Sequence, residues 1–337
     1  MRKTTTAAAL AASLAACATT PQGLPAVAVT AVAETEPVGT AHEDAADDPA
    51  IWRNASDPEK SLIVATDKKA GLLVYDLAGK TLFSESSGRI NNVDLAEVDG
   101  AGVIVVASDR NDGANAHLVI WRLDTASGRL ERLGRVPGGA GEGYGLCLWN
   151  APDGLRAYSV LKHGTIEEFR LTLGPDPAAM HLRTMAVPSQ AEGCVVDPRD
   201  GTFYVGEENA GIWRFAPGAA RGTLIAPIDD RYLVADVEGL ALLPQGSSGG
   251  WLVASSQGDN AFAVFRLPDI APVGRFAVTA GQLGGAEETD GIALAGGTFG
   301  ASFPDGLFVA QDGRNEPRAQ NFKLLSWGAV KAALGLE

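Results

Sequence analysis

The stretch from Asp47 to Leu77, DDPAIWRNASDPEKSLIVATDKKAGLLVYDL, contains three apolar segments separated by polar turns. Two aspartates stand at the start of the first segment, and KKAG separates the second segment from the third. Short apolar runs that are rich in β-branched residues and bounded by turn residues are typical of β-strands. The stretch therefore predicts three antiparallel strands joined by turns.

The same order of a polar start, an apolar strand and a charged turn recurs along the whole chain. Six copies begin near Asp47, Asn91, Tyr144, Glu192, Glu238 and Asp290. This spacing fits the four-stranded blades of a β-propeller, and only AVKAALGLE at the C-terminus predicts a short helix. We therefore predict an all-β fold, a six-bladed β-propeller with antiparallel four-stranded blades. A two-sheet sandwich is the alternative, but it does not account for six equivalent copies.

The N-terminal sequence MRKTTTAAALAASLAACATTPQ has basic residues, a small apolar run and LAAC, the pattern of a bacterial lipoprotein signal. The apolar run is shorter than the roughly 20 residues of a membrane-spanning helix. We predict a signal peptide at 1–16, an acylated Cys17, a tether at 17–33 and the propeller at 34–337. Because Ala18 and not Asp follows Cys17, we expect export and a lipid anchor at the outer membrane if the cell is Gram-negative, with a periplasmic or cell-surface location as the alternative.

The net charge argues about binding partners, and the cysteines argue about a disulfide. The formal net charge is −14, and no basic stripe is visible, which argues against a nucleic-acid partner. Cys147 and Cys194 both lie in apolar, strand-like runs. Although an exported protein can form a disulfide, this context favours two buried free thiols.

Propeller geometry places the strand starts and the charged turns on one face of the disc. The strand starts supply Asp47, Asp48, Asn91, Asn92, Asp94, Tyr144, Glu192, Asp236, Glu238 and Asp290. The turns supply Lys68, Lys69, Arg110, Lys162, Glu207, Glu208, Asn260, Asp312 and Asn315. Each residue alone is compatible with an ordinary turn. Together, so many carboxylates on one face require bound cations to remain ionised.

The ligand types indicate which cation this face would bind. The four histidines are scattered, which disfavours zinc, and a wide cage of oxygen atoms suits calcium better than magnesium. The basic turns of the first three copies either pair with the acids or bind phosphate oxygens, which Arg110 can do bidentately. Calcium opposite such a basic group fits a highly phosphorylated substrate.

These segments resemble the β-propeller phytases, also called alkaline or calcium-dependent phytases. The resemblance is carried by DAADDPAIW, DKKAGLLVYDLAGK, NNVDL, EGCVVD, YVGEENAGIWRF, VEGLALL, SSQGDNAFAVF, TDGIAL, GLFVAQDGRN and QNFKLLSW, in the family's order over residues 34–327. It implies a monomeric phosphoric monoester hydrolase that releases phosphate from phytate, myo-inositol hexakisphosphate, bound as its calcium complex. Several calcium ions are implied at the mouth of the channel.

The resemblance also implies residue roles. The implied calcium ligands are Glu34, Asp47, Asp48, Glu192, Glu208, Asp236, Glu238 and Asp290, with Asp312 and Asn315 at a structural calcium. The implied phosphate contacts are Lys68, Lys69, Arg110, Tyr144 and Lys162. In catalysis, a calcium-activated water beside Glu208 would attack phosphorus directly, and Lys68, Arg110 and Tyr144 would stabilise the charge that develops.

Two other functions remain compatible with the sequence, because propellers host many unrelated activities. The first is a non-catalytic, calcium-stabilised binding module. The second is a calcium-dependent hydrolase of another ester, such as a lactone. The basic residues favour the phytase, because a scaffold braced only by calcium does not require them.

Overall fold

The computed structural model describes residues 22–336. The predicted signal peptide and Cys17 lie outside the described residues. Two short strands, β1 (Val27–Val29) and β2 (Ala33–Glu34), come first. A single helix, α1 (Trp327–Leu334), ends the described chain, and among these residues no helix has the length and apolar content needed to cross a membrane.

The remaining strands form six consecutive groups. The first group is β3 (Ala46–Trp52), β4 (Leu62–Asp67), β5 (Gly71–Asp76) and β6 (Thr81–Ser86); the second is β7 (Ile90–Val98), β8 (Gly102–Asp109), β9 (Asn115–Asp124) and β10 (Arg129–Ala140); the third is β11 (Gly143–Ala151), β12 (Gly154–Leu161), β13 (Thr165–Thr172) and β14 (Ala178–Ala186). The fourth is β15 (Ala191–Val196), β16 (Phe203–Glu207), β17 (Gly211–Phe215) and β18 (Thr223–Pro227); the fifth is β19 (Val237–Gln245), β20 (Gly249–Ser256), β21 (Ala261–Leu267) and β22 (Ala271–Val278); the sixth is β23 (Ile292–Ala295), β24 (Leu307–Asp312) and β25 (Asn321–Ser326).

Each group forms one antiparallel sheet, so the prediction of a six-bladed propeller with four-stranded blades is confirmed. The sixth blade obtains its fourth strand from the N-terminus, because β2 pairs with β25. This pairing closes the ring and leaves the sixth blade without an unpaired outer edge at β25. The hydrophobic core is divided into clusters between neighbouring blades, because both faces of each sheet are covered.

The segment predicted as a tether differs from expectation in its second half. Residues Val27–Val29 pair in parallel with β22 and make the fifth blade five-stranded. Val29 is buried in the core cluster of that blade, together with Phe276. Burial of these apolar side chains holds the segment to the propeller, so the prediction of a tether extending to residue 33 is wrong for residues 27–29.

The innermost strands approach one another closely around the channel. Gly239 donates its backbone N–H to the carbonyl of Asp290 at 2.7 Å, and Gly291 donates to the carbonyl of Asp47 at 3.0 Å. A Cβ atom on Gly291 would lie 2.5 Å from that carbonyl oxygen. Glycine is therefore required there, and the six strand starts form a tight ring.

The close approach also joins the two cysteines. Cys147 in β11 and Cys194 in β15 form a disulfide, with Cα atoms 5.9 Å apart. This distance is typical of disulfides. The prediction of two free thiols is therefore wrong, because apolar burial of each cysteine did not reveal that the two strands are neighbours.

Candidate functional site

The site lies where the first strand of each blade begins, beside the turn between the second and third strands. Asp47, Asn91, Tyr144, Glu192, Glu238 and Asp290 occupy equivalent positions at the strand starts, as the register of each strand pair shows. Lys68, Arg110, Lys162 and Glu208 occupy equivalent positions in the turns of the first four blades. The ring thus gathers acidic residues from blades 4, 5, 6 and 1 and basic residues from blades 1, 2 and 3.

Three glutamates form the tightest carboxylate group of this face. Glu192, Glu208 and Glu238 are all buried, and each offers a carboxylate oxygen within 4.8 Å of the other two. Glu192 also accepts a hydrogen bond from the Nδ2 of Asn91 at 2.7 Å. Such a buried cluster of oxygen donors, brought together from two blades, can bind a hard cation.

Asp47 and Asp290 extend the acidic group into blades 6 and 1, where both contact Lys68. The Lys68 ammonium lies 3.0 Å from Asp47 and 2.8 Å from Asp290. Asp44, a residue that the sequence analysis did not select, lies 2.8 Å from the same ammonium. Although burial opposes it, these carboxylates raise the pKa of Lys68, so the lysine remains charged.

One lysine does not compensate this set of carboxylates. Burial raises the pKa of Asp47 to about 7 against the opposing effect of Lys68, and burial together with nearby Asp290 raises the pKa of Glu192 to about 7. Burial and neighbouring carboxylates also raise the pKa values of Glu238 and Asp290. The site therefore lacks positive charge, and a cation would relieve the repulsion.

Two buried carboxylate oxygen atoms also lack a partner that could compensate their negative charge. The Oδ2 of Asp47 and the Oε2 of Glu238 have no hydrogen-bond partner among the described residues. Buried polar atoms are nearly always paired. Carboxylate oxygens with a free lone pair and a raised pKa are suitable ligands for a hard divalent cation, so the residues present fit the predicted metal.

The other two aspartates predicted as ligands lie at the edges of this group. Asp48 is buried, and its Oδ2 accepts a hydrogen bond from the backbone N–H of Val93 in the next blade at 3.0 Å. Burial raises the pKa of Asp48. Asp236 is half-buried and lines a cavity of about 610 Å³ that Asp290 and Gln257 also line. Asp48 thus links two blades, whereas Asp236 faces the open side of the site.

The predicted phosphate contacts surround Tyr144. The Lys162 ammonium lies 5.0 Å from the centre of the tyrosine ring, and the Arg110 guanidinium lies 5.8 Å from it. Burial and the charges of Glu192 and Glu238 raise the pKa of Tyr144, so its hydroxyl remains protonated and can donate. These three residues form one surface that can bind an anion.

Lys69 and Lys68 follow one another in the same turn but differ in exposure. The Lys68 side chain is 9% exposed, whereas the Lys69 side chain is 40% exposed and lies 3.6 Å from Glu43. Lys69 is therefore free to contact a ligand from solvent, while Lys68 is held among the aspartates.

Sequence reasoning missed a glutamine that connects the acidic and basic halves. The Nε2 of Gln190 donates to the Oε1 of Glu208 at 2.7 Å and to the Tyr144 hydroxyl at 3.3 Å. Gln190 precedes β15, and amides are common in such turns, so no sequence signal distinguished it. The contact fixes the orientation of Glu208 relative to Tyr144.

The structure brings the remaining predicted calcium ligands together around a lysine of blade 6. The buried Lys323 ammonium lies 2.5 Å from Glu34 and 3.1 Å from Asp312. The Oδ1 of Asn315 lies 3.4 Å from the same nitrogen. Lys323 stands within an apolar strand, and the sequence analysis assigned it no role.

A family model described as Phytase matches residues 2–337. The 3-phytase of Bacillus subtilis (strain 168) is 36% identical over 328 residues, which cover 91% of this chain and 85% of that protein. A chain of a structure titled Crystal Structure of Mitotic Checkpoint Complex superposes with a TM-score of 0.53 at 13% identity, covering 96% of this chain and 86% of that chain, and this likeness shows the fold alone.

Proposed function

The chain belongs to the phytase family, and we propose that it hydrolyses the phosphomonoesters of phytate with the help of several calcium ions bound on this face. The observation that carries the proposal is the arrangement of the ring. A buried carboxylate group with too little positive charge lies beside a surface of Arg110, Lys162 and Tyr144 that can bind an anion. A substrate with many phosphates matches both halves.

The carboxylates that would hold calcium are those whose pKa values are raised by burial, and two of them, Asp47 and Glu238, also have an unpaired oxygen. One part of the site would bind calcium through Glu192, Glu208 and Glu238. A second part, nearer blades 6 and 1, would bind it through Asp47, Asp236 and Asp290. Calcium accepts many oxygen ligands in flexible geometry, which suits a ring of side chains from different blades. When bound, calcium neutralises phosphate charge and makes a nearby water more acidic.

The residues of the chain itself bind and orient the phosphate. Arg110, Lys162 and the Tyr144 hydroxyl donate hydrogen bonds to phosphoryl oxygens, and these bonds strengthen as charge develops in the transition state. Lys69, which is partly exposed, can contact another phosphate of the same substrate. Lys68 holds Asp47 and Asp290 in position and adds positive charge beside the phosphoryl group.

Glu208 acts as the general base that accepts a proton from the attacking water. Gln190 occupies its Oε1, which leaves the second carboxylate oxygen to accept a proton from the attacking water. Burial raises the pKa of Glu208 in the metal-free protein, and beside bound calcium the ionised carboxylate can accept a proton. No covalent enzyme intermediate is required in this mechanism.

Phosphate release from phytate tests this proposal. Activity should be lost in a chelator, return with calcium, and fall strongly in Glu208→Gln while the fold is retained. Glu131→Gln is a matched control, because Glu131 is exposed and pairs only with Arg122 at 3.2 Å. Phosphate release that continues in the chelator would overturn the calcium proposal, and a preference for lactones or simple esters over phytate would favour the other hydrolase.

We also propose that the chain is exported and anchored by a lipid on Cys17 at the outer membrane. The LAAC sequence, in which the proposed cleavage falls just before Cys17, supports this. The test is the mass of the mature N-terminus and the membrane fraction of Cys17→Ser, which should be soluble after export. A wild-type protein recovered without acyl chains would contradict the anchor.

A further inference from the structure

Glu142 is the acidic residue that lies within the basic half of the site. Its Oε1 is 3.7 Å from an Nη1 of Arg110 and 3.5 Å from an Nη2 of Arg89. Its backbone carbonyl accepts a hydrogen bond from the N–H of Lys162 at 3.0 Å. Glu142 also precedes Tyr144 by two residues, so its carboxylate belongs to the same surface as the proposed phosphate contacts.

The contact between Glu142 and Arg110 is incomplete. Among the described residues, Glu142 is the one ion-pair partner of Arg110, and at 3.7 Å it is longer than a hydrogen bond. The Arg110 side chain is only 10% exposed, and its buried Nε has no hydrogen-bond partner among the described residues. A structural ion pair of a nearly buried arginine is normally shorter and bidentate, so this guanidinium retains capacity for another anion.

We propose that Glu142 competes with phosphate for Arg110, lowers the affinity of the site for phosphate and thereby favours release of the inorganic phosphate product. This inference rests on the proposed function, because it uses Arg110 as a phosphate contact. A negative charge beside an anion site weakens binding by Coulomb repulsion, and it also provides Arg110 with a partner when the product leaves. Phytate binds through several phosphates at once and tolerates the weakened contact, whereas free phosphate has no second point of attachment.

The expected size of the effect follows from the distance. A phosphate held by Arg110 would lie roughly 5 Å from Glu142, and repulsion of its one to two negative charges at that distance, at the dielectric constant of water, changes binding about five- to tenfold. Glu142→Gln should therefore bind inorganic phosphate about five- to tenfold more tightly in the presence of calcium. Product inhibition should strengthen by the same factor, the KM for phytate should fall, and kcat should not rise.

Calorimetric titration of calcium-loaded protein with inorganic phosphate, with product inhibition as a second readout, tests the inference. Glu131→Gln controls for the change in net charge and should bind phosphate as the wild type does. In a double-mutant cycle with Arg110→Met, the gain from Glu142→Gln should shrink, because only the direct repulsion between Glu142 and the phosphate then remains. If Glu142→Gln does not fold, Glu142→Asp, which withdraws the carboxylate by one methylene, should give a smaller tightening.

Suppose that the wild type hydrolyses phytate and binds phosphate. Unchanged or weaker phosphate binding in Glu142→Gln then overturns this inference, but it does not contradict the proposed function. The same tightening in Glu131→Gln, or a gain that is undiminished without Arg110, also overturns the inference. A calcium-loaded wild type that neither hydrolyses phytate nor binds phosphate overturns both proposals.

Discussion

Removing calcium should make the folded protein less stable as the pH rises. In the metal-free protein, burial raises the pKa values of Asp47 and Glu192 to about 7. In an unfolded chain, the same side chains ionise at about pH 4. Between these values, the folded state holds protons that the unfolded state has lost. The free energy of unfolding therefore decreases with pH.

The size of this decrease follows from the two groups. Each contributes about 1.4 kcal/mol per pH unit while the folded state is protonated and the unfolded state is not. The stabilisation is fully present below about pH 4 and is lost as the pH rises through about 7. Between about pH 5.5 and about pH 8, the two groups together remove about 4 kcal/mol, which lowers the melting temperature of a chain of this size by roughly 8 °C.

Thermal unfolding followed by circular dichroism, at both pH values and in chelator or excess calcium, measures this effect. Calcium-loaded protein should show little of the decrease, because the bound ion keeps the carboxylates ionised at both pH values. Asp47→Asn should reduce the decrease by about 2 kcal/mol, because that group is then uncharged throughout. Equal melting temperatures of the chelated wild type at both pH values, or a higher one at about pH 8, would refute the reasoning.

Three further outcomes are expected. Glu208→Gln should lower kcat by about 10²- to 10⁴-fold at saturating calcium, because it removes the proton acceptor; single-turnover phosphate release measures this, and near-normal turnover would exclude that role. Cys147→Ser should lower the free energy of unfolding by about 2–4 kcal/mol in denaturant titrations of oxidised protein, and the difference should vanish under reduction. Deleting residues up to Val29 should lower the melting temperature, because β1 buries apolar side chains against blade 5; an unchanged value would show that the strand contributes nothing.

The propeller and its charged face were predictable because the pattern repeats at a fixed register. The strand start and the following turn are equivalent positions in every blade. They hold Asp47 and Lys68 in blade 1, Tyr144 and Lys162 in blade 3, and Glu192 and Glu208 in blade 4. A local pattern of strand and turn suffices to place such residues, because blade geometry converts sequence position directly into position on the disc.

The parts that were not predictable depend on contacts between distant segments. β1 pairs with β22, and Val27–Val29 carries no local sign of that partner. Lys323 lies in an apolar strand, and only the closure of the ring by β2 brings Glu34 to it. The disulfide likewise depends on two blades being neighbours. Local sequence fixes which residues form strands, but these pairings are decided by tertiary contacts.

An acidic protein can bind a polyanion because the charges are divided by blade and not mixed. Carboxylates from blades 4, 5, 6 and 1 share too little positive charge, so they recruit cations that a phosphorylated substrate also binds. In the basic half, a carboxylate has the opposite consequence. Glu142 faces Arg110 in a surface that already carries positive charge, so it subtracts from anion binding and recruits no metal. Under the two proposals, the same chemical group would promote substrate capture in one half of the ring and product release in the other.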